Sequence, residues 1–290
     1  MARIKLYSKI TNLPSEKYHA IKGTYSSSQL KDLVVDPDIF YQKYIAKTIP
    51  RLHIAAFDVG TYTHSGVLEP HNLENDCVVF PGSVRRGERW ERFKLKHPGK
   101  SILTQKQADQ AEGLIRITKE SEVAMGFVNS GEPEVSMFVK INVIDGWVWN
   151  LKRNCYLTES GWVESSQKPT SRGCEFIIKV RADMLGDGWI YDLKTTSGNA
   201  RNKQMMQEKV DYYKYDLSAA LYLDIFTVGL DKVFDKFIWT FTSKDCLNSR
   251  TYMASDRNII NGRRKVIQAF QTLALRTQQN WEDIDFLDTL

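Results

Sequence analysis

The chain has 290 residues, 42% of them hydrophobic and 26% charged, which is typical of a globular protein with a sizeable core. Its formal net charge of +5 permits a polyanionic partner without requiring one. The four cysteines include no C-x-x-C pair, so neither a zinc site nor a clustered iron–sulfur site is supported. No stretch approaches a membrane span and no apolar leader follows the N-terminus, so we expect a reduced, cytoplasmic protein with no membrane partner.

The N-terminal part of the chain is predicted to consist of short helices. Residues 1–23 are weakly patterned and are predicted to form an arm. A helix is expected to begin after Ser26, a good capping residue, and a second short helix is expected around residues 40–44. A further helix is predicted over residues 55–69, because the proline that follows disfavours its continuation.

Two features precede the first long strand. Residues 85–97 are rich in basic and aromatic side chains. They are compatible with a DNA contact in which Trp90 or Phe93 stacks on bases, but they favour a solvated helix that buries a few rings. Farther on, Thr104 and Gln107 form a capping box, which predicts a helix from there to about Met125.

The rest of the chain is predicted to alternate strands with long helices. Strands are expected over residues 134–144, 147–149, 175–183, 189–196 and 236–242, and helices over about 202–226 and 256–277. Residues 158–172 are polar and are predicted to form a loop. Helices that precede and follow a mixed sheet predict an α/β protein, with α+β as the alternative.

The segment with the most chemical content is a predicted hairpin over residues 175–196, with a turn at Gly186-Asp187-Gly188. Alternation along its strands brings Asp183, Asp192 and Lys194 towards one end of the sheet. Paired carboxylates suit Mg²⁺ or Mn²⁺, and the Lys194 ammonium would hold a water nucleophile or stabilise charge developing on phosphorus. The alternative is that Asp-x-Lys is the solvent side of an ordinary strand.

A histidine upstream adds to this pair of carboxylates. His64 lies on the predicted helix over residues 55–69, with Gly60 one turn before it and Leu68 one turn after. An imidazole is an accepted ligand beside carboxylates for several divalent ions, and the small Gly60 would allow a close approach to the helix. A helical histidine is, alternatively, an ordinary packing residue.

The order and spacing of these motifs resemble a known family. The motifs are Gly60-x-x-x-His64-x-x-x-Leu68-Glu69, Lys179-x-Arg181-x-Asp183 and Asp192-Leu-Lys194. They are similar to those of the PD-(D/E)xK nuclease superfamily and, within it, of the exonuclease VIII (RecE-type) branch of phage and prophage recombination nucleases. The resemblance spans roughly residues 24–226. It implies a restriction-endonuclease-like core, with a central mixed β-sheet flanked by helices, in one domain over residues 24–290 whose metal-binding core covers about 55–226.

The resemblance also implies roles for individual residues. The metal ligands would be His64, Asp183, Asp192 and the carbonyl of Leu193, and Lys194 would be the catalytic lysine. Tyr215 and Tyr222 would line the DNA side of the site. Apart from the resemblance, Lys179 and Arg181 share the strand face of Asp183, so they are expected either to neutralise DNA phosphates or to balance the acidic site.

The chain departs from the family pattern at two positions. Ser218 stands where family members usually have a glutamine between the two tyrosines. An additional family glutamate is matched by Glu134 at a longer separation than usual, or less well by Glu164.

By this resemblance, the chain is a Mg²⁺- or Mn²⁺-dependent exodeoxyribonuclease that degrades linear double-stranded DNA 5′ to 3′. The 3′ single strand that remains would serve recombination through a single-strand annealing protein. A homo-oligomer is expected, in the bacterial host cytoplasm if the gene belongs to a phage. The alternatives are an endonuclease or helicase-associated nuclease, whose helicase would be a separate chain because no P-loop is present, or a non-catalytic DNA-binding recombination accessory protein.

Overall fold

A computed structural model describes the chain over residues 5–11, 13–50 and 55–281. Its strands, in chain order, are β1 (Thr24–Tyr25), β2 (Cys77–Phe80), β3 (Ser101–Thr104), β4 (Glu132–Ile144), β5 (Trp147–Asn150), β6 (Cys155–Thr158), β7 (Gly161–Glu164), β8 (Cys174–Leu185), β9 (Trp189–Thr196), β10 (Lys236–Ser243) and β11 (Asn248–Met253). Strands β2 and β3 form a small parallel sheet of their own. The other strands form one mixed sheet in the order β11-β10-β9-β8-β4-β5-β6-β7, and β1 pairs with β8.

The helices lie before, between and after these strands. They are α1 (Ser15–Ala20), α2 (Ser27–Val35), α3 (Pro37–Phe40), α4 (Ala55–Leu68), α5 (Leu73–Asp76), α6 (Glu88–Lys96), α7 (Gln105–Lys119), α8 (Glu122–Ser130), α9 (Lys203–Tyr212), α10 (Tyr215–Leu230) and α11 (Asp256–Gln278). A short π-helix, Tyr41–Ile45, continues α3. No helix in the described ranges is long and apolar enough to cross a membrane.

Helices cover both faces of the large sheet. Apolar side chains of α2, α10 and α11 pack on one face in the largest buried cluster, which includes Leu30, Phe226 and Phe270. On the other face, α4, α7 and α8 pack against β8, β9 and β10. The predicted α/β class, with a central mixed sheet flanked by helices, is therefore confirmed.

The N-terminal segment, described over residues 5–11 and 13–25, lies along the sheet. Tyr7 donates its backbone N–H to Phe138 of β4, and Ile10 bridges Ser136 on the same strand. Strand β1 then pairs with Ile177 and Ile178 of β8. The segment therefore occupies those edges of β4 and β8 that neither β5 nor β9 covers.

Most predicted elements are confirmed, and the errors have local causes. The predicted loop over residues 158–172 was wrong where β7 pairs with β6. The predicted helix over about 202–226 is interrupted because Lys214 takes a left-handed backbone conformation, with φ at 51°. The predicted helix from Thr104 ends at Lys119, and Ser121 caps a separate helix.

Candidate active site

Three acidic residues fall in one row across neighbouring strands. Pro133 and Val135 of β4 pair with Met184 and Ala182 of β8, which sets Glu134 opposite Asp183. In the same way, Met184 of β8 pairs with Tyr191 of β9. Asp183 and Asp192 are each one residue beyond this pair, on β8 and β9 respectively. Residues opposite each other in antiparallel strands point to the same face, so the sheet itself gathers these carboxylates.

The regular strand pairing ends at this row. The last pair between β8 and β9 is Met184 with Tyr191, and beyond it the Asp183 carboxylate accepts the backbone N–H of Leu193 at 2.8 Å. On the other side, Glu134 has a φ of 51°, a left-handed conformation that is uncommon for a residue with a side chain. Strained backbone of this kind concentrates at functional sites, because the surrounding fold must hold it in place.

Helix α4 adds His64 to the row. The Nε2 atom of His64 lies 2.8 Å from Asp183 Oδ2, and Nδ1 lies 3.7 Å from Glu134 Oε1. The helix packs closely on α7 through Gly66, where a Cβ atom would meet the Ile115 side chain at 2.3 Å. Gly60, by contrast, has room for a Cβ at an ordinary contact distance, so Gly66 is the more closely packed of these two glycines.

Lys194 completes the site from the end of β9. Its Nζ atom lies 2.6 Å from Asp192 Oδ1, two residues back on the same face of the strand. The other carboxylate oxygen of Asp192 is buried and has no hydrogen-bond partner among the described residues. A buried carboxylate oxygen without a partner is costly, and a cation would satisfy it.

The charges of the site are strongly coupled. Burial lowers the pKa of His64, but the contact with Asp183 outweighs it and raises the pKa to about 9. Burial raises the pKa of Glu134 to about 7. It also raises the pKa of Asp192, although Lys194 opposes the shift. For Lys194, burial lowers the pKa, but Asp192 and Asp183 raise it above its ordinary value, so the amine carries its proton at neutral pH.

This donor set fits a divalent cation. Ligand atoms of His64, Glu134 and Asp183 all lie within 4.8 Å of one another. Carboxylate oxygens with one imidazole suit Mg²⁺, Mn²⁺ and related ions. Asp192, with its unpartnered oxygen on the adjacent strand, would be the fourth residue to hold the ion. Of Leu193, the described contact is made by its N–H, which fixes Asp183.

Two predicted DNA-binding residues have other contacts. Lys179 is buried, and its ammonium donates to the backbone carbonyls of Tyr18 and Ile21 in the N-terminal segment. Arg181 lies 3.2 Å from Glu134 and donates to the hydroxyl of Ser136 at 3.0 Å. Of the two roles predicted for Arg181, these contacts favour balancing the acidic site.

Both predicted tyrosines lie on α10, on the side of the sheet that carries Lys194. The Tyr215 ring centroid is 5.5 Å from Lys194 Nζ. Tyr222 packs edge-on against Phe237, and burial raises its pKa to about 12. Ser218 lies between them on the same helix and is half-buried.

The structure decides between the two glutamates and adds one lysine that sequence reasoning missed. Glu134 lies in the acidic row, whereas Glu164 lies on β7, at the far edge of the sheet. Lys31 of α2 places its ammonium 5.0 Å from the Tyr215 ring centroid, and burial together with Lys194 lowers its pKa to about 7. The signal that could have pointed to Lys31 is the sequence Ser26-x-Ser28-x-Leu30-Lys31 at the start of α2, which is similar to the N-terminal segment of the exonuclease VIII branch.

The basic and aromatic residues 85–97 comprise α6 and the few residues on either side of it. Trp90 and Phe93 both pack on Phe80 of β2, with ring centroids 5.2 Å apart in each pair, which favours the second of the two predicted roles. Arg85 lies 2.7 Å from the buried Asp58 and donates to Gln107, so it ties this unit to α4 and α7. The acidic sequence over residues 282–288, a candidate docking segment for a partner protein, lies outside the described residues.

Comparisons with known proteins bear on the fold and the superfamily. Residues 168–283 match the family model of a PDDEXK-like domain of unknown function (DUF3799), a stretch that contains Asp183, Asp192 and Lys194. A solved structure of an Eubacterium rectale protein, provisionally named an exonuclease, covers 94% of this chain and 89% of its own, with a TM-score of 0.58 and 17% identity. At that identity the likeness concerns the fold. Together, the family match and the fold support the PD-(D/E)xK nuclease superfamily.

One curated protein is also similar to part of the chain. It is named type III pantothenate kinase, comes from Christiangramia forsetii, and is 28% identical over 148 residues. The match covers 48% of this chain and 60% of the kinase, so the chain spans less than two thirds of that relative.

Proposed function

We propose that the protein is a metal-dependent exodeoxyribonuclease that degrades linear double-stranded DNA. The observation that carries this proposal is the row of Glu134, Asp183 and Asp192 with the Lys194 ammonium beside it. Clustered carboxylates that hold a hard cation next to a fixed positive charge can catalyse the hydrolysis of a phosphodiester. The basic net charge is compatible with a DNA substrate.

The chain's own residues divide the work of such a reaction. A divalent cation held by His64, Glu134, Asp183 and Asp192 would act as a Lewis acid on the scissile phosphate. Lys194 keeps its proton, so its role is to stabilise negative charge that develops on the phosphate oxygens.

Two neighbouring groups fix the geometry of the acidic row. The Leu193 N–H holds Asp183, and Arg181 holds Glu134, so both carboxylates are oriented before the substrate arrives.

The finer features of the proposal rest on the resemblance described above. They are the 5′ to 3′ direction, the requirement for an end, the annealing partner and the homo-oligomer. The choice of Mg²⁺ or Mn²⁺ rests on the carboxylate ligands, and the proposed cytoplasmic location rests on the cysteine pattern and the N-terminal sequence. The provisional name of the Eubacterium rectale protein agrees with an exonuclease. A closed ring would give each protomer continuous contact with the duplex, which is a physical reason for oligomerisation in an enzyme that follows DNA from its end.

The proposal is tested by incubating the protein with linear, nicked and closed-circular DNA in the presence of Mg²⁺ or Mn²⁺. Loss of linear DNA alone is expected, and label at the 5′ end should be released before label at the 3′ end. The Asp192→Ala variant should be inert on every substrate, because it removes the unpartnered oxygen and the partner of Lys194. Cleavage of closed circles would favour an endonuclease, and DNA binding without cleavage of any substrate would favour the accessory protein.

Metal affinity is expected to rise with pH until about 9. The free site holds protons on His64, with a pKa of about 9, and on Glu134, with a pKa of about 7. A cation binds their deprotonated forms, so affinity should rise about tenfold per pH unit between these pKa values and more steeply below them. Calorimetry in two buffers with different ionisation enthalpies measures the protons released. Glu134→Gln should remove only the steeper dependence of metal affinity on pH, below about pH 7. A metal affinity that does not change with pH would contradict the prediction.

A further inference from the structure

An exposed group of tyrosines lies at the junction of α9 and α10. Helix α9 ends at Tyr212, and the left-handed conformation of Lys214 turns the chain before α10 begins at Tyr215. The turn leaves the Tyr212 side chain 76% exposed and that of Tyr213 48% exposed. Two adjacent aromatic side chains are rarely both this exposed, because burying a large ring contributes more stabilising free energy than burying most other side chains.

The rings form a continuous path from solvent to the catalytic lysine. Tyr212 and Tyr213 meet edge to face, with their centroids 4.9 Å apart. Tyr213 stacks on Tyr215 at 5.4 Å and an interplanar angle of 25°. The Tyr215 ring in turn lies 5.5 Å from Lys194 Nζ. These mutual contacts hold the outer rings in fixed orientations, so a planar ligand would lose little entropy in meeting them.

Two lysines border this path. The Nζ atom of Lys31 lies 5.0 Å from the Tyr215 ring centroid, and Lys214 is the residue at the turn itself. Aromatic rings next to lysines are the combination that binds single-stranded nucleic acid, in which bases stack on the rings and phosphates meet the ammonium groups. A base inside a duplex is already covered on both faces, so an unpaired base is the better match.

We propose that Tyr212 and Tyr213 are a stacking platform for unpaired nucleobases at the end of a DNA substrate. The inference rests on the proposed function, since it places the frayed end beside Lys194. Stacking on the platform stabilises the opened end and sets how far the strand reaches into the acidic row. The site thereby acquires a preference for ends that are single-stranded or easily frayed.

The test measures binding without cleavage, with EDTA present. The probe is a duplex with a short unpaired tail that carries 2-aminopurine, whose fluorescence changes when it stacks, and a fully paired blunt duplex serves for comparison. The double variant Tyr212→Leu/Tyr213→Leu should bind the tailed duplex about tenfold more weakly and abolish the fluorescence change, since stacking is worth roughly 1–3 kcal/mol per base. Tyr212→Phe/Tyr213→Phe should behave like the wild type, because it keeps the rings.

The matched control is Trp147→Leu, which removes an exposed ring from β5, three strands away from β9 in the sheet, and should change neither measurement. The proposal is overturned if the double leucine variant retains affinity and fluorescence change. It is also overturned if that variant alters only the oligomeric state in sedimentation, because the rings would then be a contact between copies of this chain. If binding depends on the rings while no DNA is ever degraded, the platform stands and the proposed nuclease function fails.

Discussion

Replacing Lys194 with methionine is expected to reduce DNA degradation by about 10³-fold while leaving DNA binding nearly unchanged. The methionine keeps much of the apolar stem and removes the charge that faces Asp192 at 2.6 Å. A fixed charge acts mainly on the transition state, where negative charge builds on the phosphate, so kcat should fall far more than KM rises. Single-turnover cleavage of linear DNA and fluorescence anisotropy with the same DNA measure the two effects separately.

Lys179→Met is the matched control for this substitution. Lys179 is a buried lysine on the adjacent strand β8, but it donates to backbone carbonyls of the N-terminal segment. Its loss should lower the free energy of unfolding by about 1–3 kcal/mol, because those carbonyls lose their charged donor. The cleavage rate of the folded fraction should stay close to that of the wild type. A comparable loss of rate in both variants would show that the effect of Lys194 is structural.

Replacing Asp183 with asparagine is expected to abolish both cation binding and activity. Glu134, Asp183 and Asp192 repel one another in the free site, and a bound cation relieves this repulsion. A cation at a hundred times its Kd should stabilise the wild-type protein by about 2.7 kcal/mol and raise its thermal midpoint accordingly. The variant should show no such rise, because its carboxylate is central to the site, within reach of His64 and Leu193.

Glu175→Gln provides the comparison on the same strand. Glu175 is an exposed acid of β8 that pairs with Lys140 at 2.9 Å, away from the acidic row. Removing its charge should leave the cation-induced rise in midpoint intact. If Mg²⁺ and Mn²⁺ stabilise Asp183→Asn as much as the wild type, the cation binds elsewhere and the acidic row is not the metal site.

The sequence correctly predicted those helices and strands whose identifying pattern lies within their own residues. The hairpin of β8 and β9, helix α4 and the start of α7 each have their own alternation, spacing or capping residues. Strands β7 and β11 were not predicted: each is an outer strand of the sheet, β7 has only four residues, and β11 has a mostly polar sequence. Strands β2 and β3 were not predicted either, because these short strands are defined by pairing with each other.

By itself, the sequence determined that Asp183, Asp192 and Lys194 would lie together, because a hairpin brings nearby residues to one end of its strands. The tertiary structure alone decided which distant groups join them. The register of β4 against β8 places Glu134 in the site, and the packing of α2 beside α10 places Lys31 near it. Lys179 does not join them, because it donates to a backbone carbonyl of the N-terminal segment. The physical reason is the distance in sequence over which each signal acts. Periodicity within an element fixes the face on which a side chain lies, whereas its partner from a distant element depends on how the separate elements pack.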